Sequence, residues 1–150
     1  MAFSHGIPGN QGAIPAFGDV VALFQSGNPA IASLASAGVT DTLTGQQMDA
    51  GIYVRSGATA AVTSTTDTAT NIINAIGPGV FLGMTFMFMY VNVNTSSGAV
   101  TLAAGTGVTL SGTTTVPIAA MRVFVGTVTN VTTPAVTIQG AFAVGSGVIA

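Results

Sequence analysis

The chain has 150 residues, 49% of them hydrophobic and only 4% charged, with a formal net charge of −2. Its charged residues are Arg55, Arg122, Asp19, Asp41, Asp49 and Asp67; two cations cannot neutralise a phosphate track or hold an anionic lipid surface, which excludes nucleic-acid and membrane-surface binding. The absence of cysteine removes disulfide frameworks and thiolate metal sites, and the hydrophobic content sets the chain apart from intrinsic disorder.

Polarity comes instead from Thr, Ser, Asn and Gln. Mixed surface charge usually keeps a free domain soluble, so a chain this neutral is expected to have much of its surface covered by partners. A monomer coated with hydrated hydroxyls is the alternative.

Residues 1–40 read as an extended N-terminal arm. Pro8 and Pro15 block regular helix, and the glycines around them weaken any strand. Yet Phe3, Ile7, Ile14 and Phe17 recur through the segment. A flexible linker does not usually carry such residues, so these four are the candidate partner contacts of an arm that docks on its own body or on a neighbour. Val20–Phe24 is a candidate short strand, followed by a turn at Gly27-Asn28-Pro29.

Residues 41–150 read as a β-rich body. TLTGQQMDAG predicts one helical turn capped by Thr44 and stopped by Gly51. GIYVRSGATAAVT then reads as strand, bend, strand, with Gly57 at the bend. In TTDTATNIINAIGPG, Ala69, Ile72, Ile73 and Ile76 fall on one helical face. Thr66 or Asp67 is the expected cap, Gly77 supplies a left-handed stop, and Pro78 prevents continuation.

FLGMTFMFMYVNV is apolar at both parities. This predicts a strand buried on two sides, either central in the core or forming one face of an interface, with Phe86, Met87, Phe88 and Met89 as the candidate contacts. Gly77-Pro78-Gly79 interrupts the apolar run from Ala75 to Val93, and the remainder is too short to cross ~30 Å of hydrocarbon as a helix. SGAVTLAAGTGVTLSGTTTV predicts a compact hairpin, with Val100, Leu102, Val108 and Leu110 at one parity. MRVFVGTVTNV and PAVTIQGAFAV predict an antiparallel pair joined across Asn130 to Pro134, and GSGVIA a last edge. The fold expected is mainly β: a small antiparallel β-sandwich or barrel with one short helix and the extended arm.

Chemistry-bearing motifs are sparse. His5 is the single histidine, and with four scattered aspartates it does not supply the three or four ligands of a metal site. No nucleophile elbow is present. Asp41 and Asp49 flank the first helical turn, where capping is the simpler role. Arg55 and Arg122 are expected in structural ion pairs with Asp49 or Asp67, or in contact with a partner subunit. Asn94-Thr95-Ser96 and Asn130-Val131-Thr132 fit the glycosylation pattern, which recurs by chance in a threonine-rich chain. No catalytic, cofactor-binding or metal residue is assigned, and enzymatic activity is not expected.

The run LTGQQMDAGIYVRSGATAAVTSTTDTATNIINAI, followed by TLAAGTGVTLSGTTTV and AMRVFVGTVTNVTTPAVTI, resembles the capsid decoration, or cement, proteins of tailed bacteriophages. The resemblance spans roughly residues 42 to 140 and leaves out the arm. It implies a virion protein on the outer capsid surface, a homotrimer that bridges major capsid protein subunits and resists internal pressure. Phe86, Met87, Phe88 and Met89 would then be core or trimer contacts, and the arm residues would reach the capsid protein. Similar segments in phage fibres leave a fibre or receptor-binding module for host surface glycans as the alternative.

Overall fold

The computed structural model describes residues 31–145. Within them lie β1 (Ile31–Ala35), β2 (Thr40–Leu43), α1 (Gly45–Asp49), β3 (Ile52–Ser56), β4 (Val62–Thr66), α2 (Ala69–Ile76), β5 (Thr85–Asn92), β6 (Val100–Ala103), β7 (Val108–Gly112), β8 (Thr115–Val116), β9 (Ala120–Asn130) and β10 (Ala135–Gly145). The predicted strand at Val20–Phe24, the arm contacts Phe3, Ile7, Ile14 and Phe17, and residues 146–150 of the predicted last edge lie outside the described residues.

Both helices start where a threonine can satisfy their free N–H groups. Thr44 accepts from the Gln47 N–H at 3.3 Å, while Gln47 Oε1 accepts from the Thr44 N–H at 2.8 Å, a reciprocal capping box. The cap of α2 is Thr68, whose hydroxyl accepts from the Asn71 N–H, not Thr66 or Asp67. Those two were displaced because Thr66 still belongs to β4 and Asp67 braces the α1–α2 corner. Ala69 and Ile72 are buried and Ile73 and Ile76 half-buried, so the expected helical face does pack. Gly77 ends the helix at φ 106°, ψ −172°, an extended positive-φ conformation rather than the left-handed helical one.

The strands form two sheets, ordered β1-β3-β5-β9-β10-β7 and β2-β4-β6-β8. The chain alternates between them: β1, β3 and β5 are parallel neighbours in the first, and β2, β4 and β6 in the second. The first six described strands thus make three windings, each giving one strand to each sheet. Afterwards β9 runs antiparallel to β5, and β8 antiparallel to β6. β9 and β10 are the antiparallel pair the sequence predicts.

The molecule is mainly β with two sheets and short helices, as expected. The pairing direction differs, since five of the eight strand pairings among the described residues are parallel. The reason lies in the bends. At Gly57 and at Gly105–Gly107 the chain crosses to the other sheet instead of doubling back. In the expected hairpin of residues 97–116, β6 therefore does not pair with β7: β6 lies in the four-stranded sheet with the short β8 as its antiparallel partner, and β7 pairs parallel with β10 in the six-stranded one. The Gly105 N–H donates to Thr66 Oγ1 at 2.8 Å, and a Cβ at Gly105 would collide with the Thr66 and Asp67 carbonyl oxygens. The pairing also reaches back before residue 41, because Ile31–Ala35 runs along β3.

One core lies between the sheets. Leu43, Val62, Val100, Leu102 and Val116 face it from the four-stranded sheet, and Tyr53, Phe88, Tyr90, Phe124, Val128, Val136 and Ile138 from the other, with Met48 and Ile72 added by the helices. Alternation along each strand produces this division. Phe88 and Phe124 are cross-strand partners and stack at 5.2 Å.

Candidate interaction surfaces and the buried polar centre

β5 carries the residues singled out as core or interface contacts, and it separates them. Phe88 is fully buried in the core. Phe86 is half-buried and lies over Gly126, its cross-strand partner, in space that a side chain would otherwise fill. Met87 and Met89 point the other way. Met87 is 64% exposed and Met89 half-buried. The strand is thus buried on its inner face, while on its outer face Met87 is exposed and Met89 and Val91 are half-buried.

The register extends the outer face across neighbouring strands. Met87 lies beside Val125, Met89 between Ile52 and Val123, and Val91 between Val54 and Met121. Among the described residues no charged side chain interrupts this stripe. A second exposed apolar group sits at the α2–β5 connection. Phe81 is 61% exposed and Leu82 67%, and the backbone of this turn is held by the Gly83 N–H donating to the Val128 carbonyl. Val80, just before it, lines an open groove of about 380 Å³ together with Ile73, Asn74, Gly77, Pro78 and Val131.

Inside the sandwich, polar residues occupy inward positions that sequence reasoning passed over. Arg55 on β3 is fully buried. Its Nε donates to Asp41 Oδ2 at 2.9 Å, and its terminal nitrogens donate to the carbonyls of Ser36 and Ser56 (2.7 and 2.6 Å) and of Gly38 (2.6 Å). The ion pair is with Asp41, not Asp49 or Asp67, because β1 and β2 wrap the β3 strand end and bring Asp41 inward. Asp41 is consequently not a cap. Asp67 instead accepts from the Gly45 N–H, the Thr68 N–H and Asn71 Nδ2, tying α1 to α2. Partial burial pushes its carboxyl up, but these three hydrogen bonds outweigh that and hold it below its ordinary value. Arg122 donates from Nε to the Thr115 carbonyl at 2.9 Å, joining β9 to β8.

Further along the same end, Asn92 sits beside Arg55 in register and donates to the carbonyls of Gly98 and Pro117. Its Oδ1 accepts from Asn94, whose own Oδ1 accepts from the Ala58 N–H. Asn94 is 6% exposed and committed to this ladder, so the first glycosylation-like triplet is structural. Asn130 is exposed, but its side chain accepts from the N–H groups of Thr132 and Thr133 and shapes the β9–β10 turn.

Two tyrosines complete the centre. Tyr90 Oη and Ser64 Oγ share a 2.7 Å hydrogen bond across the sheets, and Tyr53 meets Tyr90 edge-on at 5.0 Å. Burial is the main cause pushing both phenols up, Tyr53 to about 12. The available signal for all of this was parity: Asp41 shares its face with Leu43, and Ser64 and Thr66 share theirs with Val62.

Among the described residues no three His, Asp or Glu side chains lie together as a metal site, and no helix is long and apolar enough to cross a membrane. Comparison of the chain with protein-family models, curated proteins and solved structures returns no match.

Proposed function

We propose that the protein is a capsid decoration protein of a tailed bacteriophage. It binds the outside of the head as a homotrimer, where it bridges and stabilises major capsid protein subunits. The observation that carries this reading is the pairing of exposed apolar side chains, Phe81, Leu82 and Met87, with a chain that is only 4% charged. Exposed apolar patches mark interaction sites, and here they lie at Met87 and at Phe81–Leu82; permanent assemblies tolerate interfaces that resemble a core cut in half. The sequence resemblance to decoration proteins points the same way.

In this reading Met87 and Met89 contribute to contact between copies, with Phe86 and Phe88 holding the strand beneath them. Phe3, Ile7, Ile14 and Phe17 reach the capsid protein, and Phe81 and Leu82 offer a contact of their own. A glycan-binding fibre module is less well supported, because Tyr53 and Tyr90 are both fully buried and, among the residues whose burial is described, Phe81 is the one exposed aromatic.

Sedimentation of the purified protein, alone and mixed with undecorated phage heads, tests the proposal. A trimer that co-sediments saturably with heads is expected. A monomer that ignores heads overturns it and favours the fibre alternative. A chain lacking residues 1–18 that coats heads with full affinity removes the arm from the mechanism.

A further inference from the structure

Among the described residues, two buried side-chain polar atoms have no hydrogen-bond partner: Asp41 Oδ1 and Tyr53 Oη. The Tyr53 side chain is fully buried, and that of Asp41 is 8% exposed. Buried polar groups are nearly always satisfied, and an exception calls for a specific explanation.

The registers of the two sheets place the two residues. Asp41 on β2 pairs with Ser64 on β4, and Tyr53 on β3 pairs with Tyr90 on β5. Ser64 and Tyr90 are joined directly across the sandwich at 2.7 Å. One strand over in both sheets, on the same side, Asp41 therefore faces Tyr53. The two positions are equivalent in successive windings, yet one pair is bonded and the other is not. The difference is Arg55. It takes up Asp41 Oδ2 at 2.9 Å, and Oδ1 is left without a hydrogen-bond partner.

We propose that Asp41 Oδ1 and Tyr53 Oη hold a buried water molecule that bridges the two sheets. The phenol donates to the water, and the water donates to the carboxylate. Water fits the chemistry better than a cation. Arg55 already neutralises Asp41, so a second positive charge would be buried without a counter-ion. A bridging water requires two to four polar partners, and the site offers one acceptor and one group that can donate. The result is a continuous polar chain, Arg55–Asp41–water–Tyr53, in the place where the next winding uses the direct Ser64–Tyr90 contact. This inference does not depend on the proposed function.

A high-resolution crystal structure of the full chain, paired with water-to-protein cross-relaxation in solution, tests it. A solvent peak within hydrogen-bonding distance of both atoms is expected, with a long-lived water signal that is lost in Tyr53→Phe. If that variant fails to fold, the peak in the unaltered chain decides alone. A direct Tyr53–Asp41 hydrogen bond with no solvent between them overturns the proposal. So does a peak coordinated by five or six oxygens at metal-ligand distances, which identifies a cation.

Discussion

Tyr90 and Ser64 touch at 2.7 Å across the interior, one from each sheet, and theirs is a direct side-chain hydrogen bond through the core. Removing the serine hydroxyl leaves the Tyr90 phenol buried without a partner, which costs about 1–3 kcal/mol. Ser64→Ala should therefore lower the denaturant midpoint clearly. Adding Tyr90→Phe to Ser64→Ala should cost less than the sum of the two single changes. Strict additivity in a double-mutant cycle would show that the contact carries no coupling.

Arg55 serves one carboxylate and three carbonyls at once. Arg55→Met leaves Asp41 as a buried, unpaired charge and frees three carbonyls, a loss expected at about 3–5 kcal/mol. Arg55→Lys should recover only part of it, since an ammonium cannot reproduce the planar fork. Equilibrium denaturation of both variants checks this; full rescue by lysine would mean that charge alone matters.

The alkaline limit follows from the tyrosines. Burial raises the Tyr53 phenol to about 12, with the charge of Asp41 adding and that of Arg55 opposing, against about 10 in an unfolded chain. The folded state thus holds this proton more tightly. The associated stability is fully present below pH ~10 and is lost as pH rises towards about 12. The chain has two tyrosines and no tryptophan, so phenolate absorbance reads these residues alone. Ionisation should coincide with loss of the β-sheet circular dichroism. Ionisation near pH 10 in an intact fold would contradict the burial.

At the acid end the sign reverses. Asp67 is held below its ordinary value, so its contribution is present above the unfolded pKa of ~3.9 and disappears as pH falls through the depressed folded value. Asp67→Ala should lower stability at neutral pH and flatten the decline below pH ~4. A melting profile with the same acid slope in both chains would assign that slope to other groups.

Gly105 has no room for a side chain. Gly105→Ala would drive a methyl into the Thr66 and Asp67 carbonyls, at a cost of about 1–3 kcal/mol. By contrast, Phe81→Ser with Leu82→Ser changes exposed positions, and stability should stay within about 0.5 kcal/mol per site, while on the proposed function co-sedimentation with heads should fall. Thermal melting and co-sedimentation separate the two effects.

Periodicity is why some elements could be read in advance. The face of α2 followed from the spacing of Ala69, Ile72, Ile73 and Ile76, and the β9–β10 pair followed from two long runs flanking a turn. Pairing direction left no such mark. A half-buried strand alternates in the same way whether its neighbour runs parallel or antiparallel, and a glycine bend looks alike whether the chain returns or crosses. For the same reason Phe86–Met89 read as uniformly apolar, although adjacent residues on a strand face opposite sides. Arg55 could be marked as unusual, but its partner depended on a wrap of β1 and β2 that no local pattern encodes.

The alternation of the chain between sheets has a kinetic consequence. No strand of the first three windings can pair with the strand that follows it, so each ladder must wait until a stretch of the opposite layer has been laid down. Loop-closure entropy comes due before most of the contacts that repay it, as in other topologies rich in non-local pairing. The chain should therefore fold slowly for its length and in nearly all-or-none fashion. Until the last windings close, half-built layers with unpaired edges are exposed to other copies of the same sequence.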